Sequence, residues 1–150
     1  GSHTGNVIIP NADLRAPFAA RMAALGISAN SFGLHMTTAA YSPKGAAWVD
    51  ELCLYLDANR RLFDDGINAI PGVHSMPLEA TYLAWVDFTG TGMSSDEVIR
   101  RVQQDALIAP NHGATFGKGG ENFLRFNLGA PRAQIADAVD RLQKAFADLQ

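Results

Sequence analysis

The sequence predicts an α+β fold in which a small, mostly antiparallel sheet is covered on one face by helices. Up to Asp65 the apolar residues recur at intervals of three and four. After Ile70-Pro71-Gly72 the period changes to two, and strand-like stretches then alternate with helical ones. The resulting order is three helices, two strands, a helix, two strands and a last helix, an alternation that implies two layers.

The elements follow in sequence. Val7, Ile8 and Ile9, closed by Pro10-Asn11, form a β-branched run expected to be a short strand, either at a sheet edge or left over from another domain. Residues 12–25 carry Leu14, Phe18, Met22 and Leu25 on one helical face, and Gly26 suits the residue just past a helix end. Residues 28–41 form a second helix rich in small residues, with Asn30 and Ser31 near its start and Ser42-Pro43-Lys44-Gly45 as its break. From Ala46 to about Asp65 a long amphipathic helix presents Trp48, Leu52, Tyr55, Leu56, Leu62 and Phe63, and Gly66 is expected to end it.

Residues 73–76 and 82–88 read as strands, with Leu83, Trp85 and Asp87 facing away from Ala84, Val86 and Phe88. Ser94-Ser95-Asp96-Glu97 is a capping box, its Ser94 oxygen and Glu97 carboxylate taking reciprocal backbone donors, and it opens a helix to about Ala106. Strands are expected at 107–109 and 123–128. Pro131 then precedes a final helix on which Ile135, Val139, Leu142, Phe146 and Leu149 repeat at fours and threes.

With 150 residues, 47% of them hydrophobic, the chain can bury a real core. A net charge of −3 without basic runs argues against nucleic acid or an anionic membrane surface as partner and leaves small polar molecules. Cys53 is the only cysteine, so no disulfide framework or zinc pattern exists; it is expected to be a buried, inert thiol in a reducing cytosol. No apolar run approaches a membrane span and no signal-peptide pattern opens the chain, which together predict a soluble, cytoplasmic protein. His35 and His74 lack partners at ligand spacing, so no metal is expected.

Arg125 is the residue that asks for a ligand. On an extended 123–128 segment, Phe123, Arg125 and Asn127 share one side, and Leu124, Phe126 and Leu128 the other. A guanidinium in so apolar a strand needs an anion, supplied either by an internal acid or by the carboxylate or phosphate of a substrate. Gly117, Gly119 and Gly120 match no phosphate-binding fingerprint and read as a tight turn, with Lys118 solvated on it. His112 leaves a strand end toward the Arg125 strand, so it either lines a substrate entrance or is an ordinary loop residue. Arg132, at a helix start where a cation is unfavourable, is expected to pair with an acid elsewhere.

Three stretches carry a family resemblance: Pro77-Leu78-Glu79-Ala80-Thr81-Tyr82-Leu83-Ala84-Trp85-Val86-Asp87; Ala109-Pro110-Asn111-His112-Gly113 with Phe116-Gly117-Lys118-Gly119-Gly120-Glu121; and Phe123-Leu124-Arg125-Phe126-Asn127 with Pro131-Arg132. They resemble the C-terminal portion of fold type I pyridoxal-phosphate enzymes, the aspartate-aminotransferase fold of class I/II aminotransferases, and within it the C–S β-lyase or cystathionine β-lyase branch. Residues 41–59 are similar to the long connecting helix of that branch. The resemblance implies that Arg125 grips the α-carboxylate of an amino-acid substrate and that the parent protein is a homodimer carrying pyridoxal phosphate.

The family lysine that forms the Schiff base with the cofactor has no counterpart among Lys44, Lys118 and Lys144. The expectation is therefore of a C-terminal fragment, inactive alone: residues 1–3 a remnant of a cleaved purification tag, 4–11 a strand remaining from the cofactor domain, and 12–150 the C-terminal domain with its connecting helix. The resemblance implies β-elimination as the parent's activity. Transamination is the alternative within the fold, and a stand-alone binding domain with a borrowed fold is the alternative of another class.

Overall fold

Asn11 starts the first helix because its side-chain oxygen accepts the backbone N–H of Asp13 at 2.8 Å and of Leu14 at 3.2 Å, satisfying two donors the first turn leaves free. The computed structural model describes residues 3–149, so Gly1 and Ser2 of the expected tag remnant lie outside the described residues. The chain forms two compact units, Gly1–Glu51 and Leu52–Gln150.

In the first unit, α1 spans Ala12–Ala24 and closes as the sequence predicts. Gly26 adopts φ 64° and donates to Ala23 O, while Ile27 donates to Met22 O, the paired bonds of a left-handed glycine stop. Helix α2 spans Ser31–Ala40, shorter than the expected 28–41, because Asn30 caps it through the Gly33 N–H at 2.7 Å. Val7–Ile9 is not a strand: no ladder partner pairs with it among the described residues, and Val7 and Ile8 are exposed. A β-branched run becomes a strand only beside another strand; here the Ile9 carbonyl accepts instead from Arg15 Nη1 at 2.9 Å.

Helix α3 spans Pro43–Asn68, longer at both ends than the expected 46–65. Ser42 and Pro43 do end α2, but they also start α3: the Ser42 hydroxyl accepts the Gly45 N–H at 3.1 Å, and proline at the first helical position has no N–H to lose. Gly66 does not end the helix. A Cβ there would overlap Val139 Cγ1, so this glycine permits close packing of helix on helix.

The second unit holds the core. Strands β1 (His74–Ser75), β2 (Leu83–Asp87), β3 (Asn111–His112) and β4 (Phe123–Asn127) form one sheet of order β1-β2-β4-β3, every pairing antiparallel. Ala84, Val86, Phe88, Leu124, Phe126 and Leu128 are buried on one face. They pack with Phe63 and Ile67 of α3, Val98 of α4 (Ser95–Arg100), Val102 of the π-helical turn that extends it, and Ile135, Val139 and Leu142 of α5 (Arg132–Ala145). Each such Val, Ile, Leu or Phe side chain contributes about 1.5–3 kcal/mol by leaving water. Phe63 meets Phe126 at 5.4 Å and Phe88 meets Phe146 at 5.6 Å, tying α3 and the C-terminal end to the sheet.

Three expectations give way to packing. Residues 107–109 are a helix exit, not a strand: Leu107 takes φ 55°, Ile108 donates back to Val102 O, and Arg141 donates to the carbonyls of Ala106 and Leu107. The strand that forms instead is β3, two residues further on. Only half of the capping box forms; Ser94 accepts the Glu97 N–H at 3.3 Å, but the Glu97 carboxylate is taken by Arg100 and Arg101. Cys53 is exposed, because α3 buries only Asn59, Phe63 and Ile67, and none of its residues before Asn59 is buried.

Candidate functional site

The sheet face away from the core is half-open and carries the site. Period two puts Leu83, Trp85 and Asp87 of β2 on it, with Phe123, Arg125 and Asn127 of β4. Register then sets the neighbours of Arg125: Trp85 stands opposite it on β2 and Asn111 opposite it on β3.

The guanidinium of Arg125 donates through Nη2 to Asn111 Oδ1 at 2.9 Å, and its carbon lies 4.5 Å from the centre of the Phe116 ring. Phe116 meets Trp85 edge-on at 5.5 Å, and Trp85 stacks on Phe123 at 5.5 Å with the planes 13° apart. Phe116 is delivered by a glycine-bounded loop. Gly113 and Gly120 approach so closely that a Cβ on either would strike the other's carbonyl, while Gly117 and Gly119 take φ 131° and 94°. These glycines build a turn, as expected, and Lys118 on it is exposed.

Arg125 has no acid partner among the described residues. Arg60, Arg61, Arg100, Arg101 and Arg141 all hold carboxylates, yet no ion pair of the described residues includes Arg125. Its Nε is buried without a hydrogen-bond partner. A structural ion pair, one of the two readings left open by the sequence, is therefore not what the arginine makes here. The guanidinium is held in place by a neutral amide and aromatic rings, which orient it without cancelling its charge.

His112 falls elsewhere. It pairs with Leu124, which faces the core, and its Nε2 lies 2.9 Å from Gln103 Nε2 on the π turn. Because β3 begins at Asn111, alternation turns His112 to the face opposite Arg125. Asn111, Phe116 and Trp85 are the neighbours that sequence reasoning did not assign. Only the β3–β4 register brings Asn111 to Arg125, and a short loop strand gives little sign of its register.

Arg132 also differs from expectation. It meets no acid among the described residues; its backbone N–H donates to Tyr55 Oη at 2.8 Å, its Nε donates to Asn59 Oδ1 at 3.2 Å, and its guanidinium lies 4.5 Å from the Tyr55 ring centre. Asn59, fully buried, donates to the carbonyls of Leu128 and Ala130 at 3.0 and 2.9 Å, so its oxygen is left to accept from Arg132. This cluster fastens α3 to the connection that follows β4.

A pyridoxal-phosphate site needs a lysine for the Schiff base, and the three lysines do not fit that need. Lys44 and Lys118 are exposed, and Lys144 is exposed and paired with Asp140 at 2.6 Å. The described residues fit the other half of such a site, a cationic fork free for a carboxylate.

An antiparallel four-stranded sheet under helices, with that fork on its open face, is an α+β arrangement compatible with a part of the aminotransferase fold. No protein-family model matches the chain. Cystathionine beta-lyase PatB of Bacillus subtilis is 33% identical over 149 residues, covering 98% of this chain and 38% of PatB. Protein MalY of Escherichia coli is 32% identical over 108 residues, covering 71% of this chain and 27% of MalY. The crystal structure of cystalysin from Treponema denticola, which contains pyridoxal 5′-phosphate, superposes with a TM-score of 0.81 at 32% identity, covering 95% of this chain and 36% of that one. The chain corresponds to the C-terminal portion of fold type I pyridoxal-phosphate enzymes, and the curated relatives it matches include cystathionine β-lyases. It spans well under half the length of the relatives it matches.

Proposed function

We propose that this chain supplies the substrate-carboxylate grip of a pyridoxal-phosphate-dependent C–S β-lyase that acts on amino acids by β-elimination. The observation that carries the reading is Arg125: charged, half-buried, oriented by Asn111 and Phe116, and without a carboxylate of its own among the described residues. Two guanidinium N–H groups hold a carboxylate by parallel bonds, which fixes how Cα and its hydrogen are presented; such orientation contributes several kcal/mol to a barrier reduction. In β-elimination Cα loses its proton and Cβ its thiol, and hydrolysis of the remaining fragment gives pyruvate and ammonia. Pyridoxal phosphate supplies the electron sink when bound, and no described lysine of this chain anchors it, so its holding belongs to the rest of a family-length protein. The 150-residue chain alone is accordingly inactive.

The same proposal assigns residues 12–150 to the C-terminal domain with its connecting helix and residues 4–11 to the cofactor domain. It takes the parent to be a cytosolic homodimer. No helix among the described residues is long and apolar enough to cross a membrane. Transamination is the second reading, supported by the 23% identity over 97 residues to the aspartate aminotransferase of Pyrococcus horikoshii.

The experiment is to supply the full-length protein with cystathionine and, separately, with an amino donor and keto-acid acceptor. Pyruvate with free thiol supports the lyase. Acceptor-dependent keto acid without thiol makes it an aminotransferase, and a natural reading frame that carries no cofactor-binding lysine leaves the stand-alone binding domain.

A further inference from the structure

We propose that Asn111 is the positioning residue for Arg125, and that an amide at this place, in contrast to a carboxylate, keeps the arginine's charge available to an anionic substrate. The inference rests on the carboxylate reading of Arg125.

Asn111 is the cross-strand partner of Arg125, and its Oδ1 is the single hydrogen-bond acceptor of the Arg125 guanidinium among the described residues. Its backbone has little freedom, because β3 is tied to β4 and runs directly into the loop where Gly113 packs against Gly120 and Phe123. Phe116, from that loop, limits tilting of the guanidinium plane, and Asn111 limits rotation within it. Edge and face are thus each held by one group.

The chemical type of those groups matters. Several other arginines are oriented by acids: Arg60 by Asp57 and Asp64, Arg100 by Glu97 and Asp105, Arg101 by Glu97 and Asp148. Each such pair spends the cation's charge inside the protein. At 111 an Asp would have almost the same size as Asn and could accept the same hydrogen bond, yet it would make Arg125 an internal ion pair and set up competition with any carboxylate arriving from solution. The Oδ1 of Asn111 leaves Nη1 and the second hydrogen of Nη2 to bind the substrate as a fork.

The test uses full-length, cofactor-loaded protein carrying N111D, N111A or R125A, with KM and kcat measured for an amino-acid substrate, and the thermal midpoint of each variant recorded. Loss of an oriented hydrogen bond to a charged group raises KM about tenfold for N111A. For N111D the rise is larger still while the midpoint is unchanged or higher, a combination that a purely structural role does not produce. The Arg125 Nε–H resonance in the 150-residue chain gives a readout independent of activity: one sharp signal in the natural sequence and in N111D, and broadening in N111A. If N111A leaves KM unchanged while R125A is crippled, the positioning role is overturned; if N111D binds substrate as well as the natural sequence, the need for an amide is overturned; in both cases the carboxylate grip stands. If R125A itself leaves KM and kcat unchanged, the grip falls, and this inference with it.

Discussion

Trp85 stands directly opposite Arg125 across the β2–β4 ladder, and Phe116 meets both, the indole at 5.5 Å and the guanidinium at 4.5 Å. An arginine against aromatic rings keeps its charge and loses its freedom to wander. A lysine there would offer a point charge on a flexible stem instead of a planar fork. Arg125→Lys in the full-length protein is expected to lower kcat/KM about 100-fold, close to 3 kcal/mol of transition-state stabilisation. A change smaller than threefold would show that the fork geometry is not used.

Asn59 offers a test of the scaffold behind the site. Its amide donates to Leu128 O and Ala130 O and accepts from Arg132, with no solvent exposure to replace any of the three. Asn59→Ala removes the donors and leaves those carbonyls without their partner, at a cost of about 2–4 kcal/mol. Urea denaturation of the 150-residue chain measures this, and a loss below about 0.5 kcal/mol would mean that water or a shifted Arg132 replaces the amide.

Helix contact at Gly66 yields a coupled prediction. Alanine is the better helix former by about 1 kcal/mol, but its Cβ would overlap Val139 Cγ1, and Val is stiff at χ1. Gly66→Ala is expected to destabilise by about 1–2 kcal/mol, and adding Val139→Ala to recover part of that loss. Additive single-mutant effects in the double-mutant cycle would place the two residues out of contact.

How much was legible follows from the same kinds of contact. The order of helices and strands could be read because period and caps are local: Asn11, Asn30, Gly26 and Ser94 all mark helix ends through their own side chains or φ. Gly66 misled because a glycine that stops a helix and one that admits a neighbouring helix look alike without Val139. Val7–Ile9 misled because a strand exists only with a partner. The sheet face of Arg125 was legible from alternation alone, whereas its neighbour Asn111 required the β3–β4 register, and the start of β3 was displaced by the left-handed turn at Leu107. That displacement decided that Asn111, and not His112, faces the arginine.

Acid should loosen the end of the core near Phe146. Hydrogen bonds from Arg100 and then Arg101 hold the Glu97 carboxyl down to about 2, and hydrogen bonding from Arg101 likewise lowers Asp148. Both groups have a lower pKa folded than unfolded, so their stabilisation is complete above the ordinary carboxylate range. It is lost progressively as pH falls from about 4.5 toward 2. Thermal midpoints between pH 6 and 2 are expected to fall less for Glu97→Gln than for the natural sequence. Parallel curves would mean that solvent already screens these surface pairs.

The Gly1–Glu51 unit should be much less protected than the rest of the 150-residue chain. Helix α1 buries none of its residues and α2 only Gly33, while Leu14, Phe18, Phe32 and Met36 stay exposed. At 13 and 10 residues these helices are near or below the length that holds in water without tertiary packing. Caps at Asn11 and Asn30 stabilise each by only about 1 kcal/mol. Amide hydrogens of α1 and α2 are therefore expected to exchange orders of magnitude faster than those of β2, β4 and α5, whose residues line the core. So many exposed apolar side chains should also make the chain self-associate with rising concentration, which sedimentation velocity would detect. In full-length protein the same amides should gain protection as those side chains become covered. Equal protection of both units in the 150-residue chain, with no concentration dependence, would mean that the first unit is stable without any cover for its apolar faces.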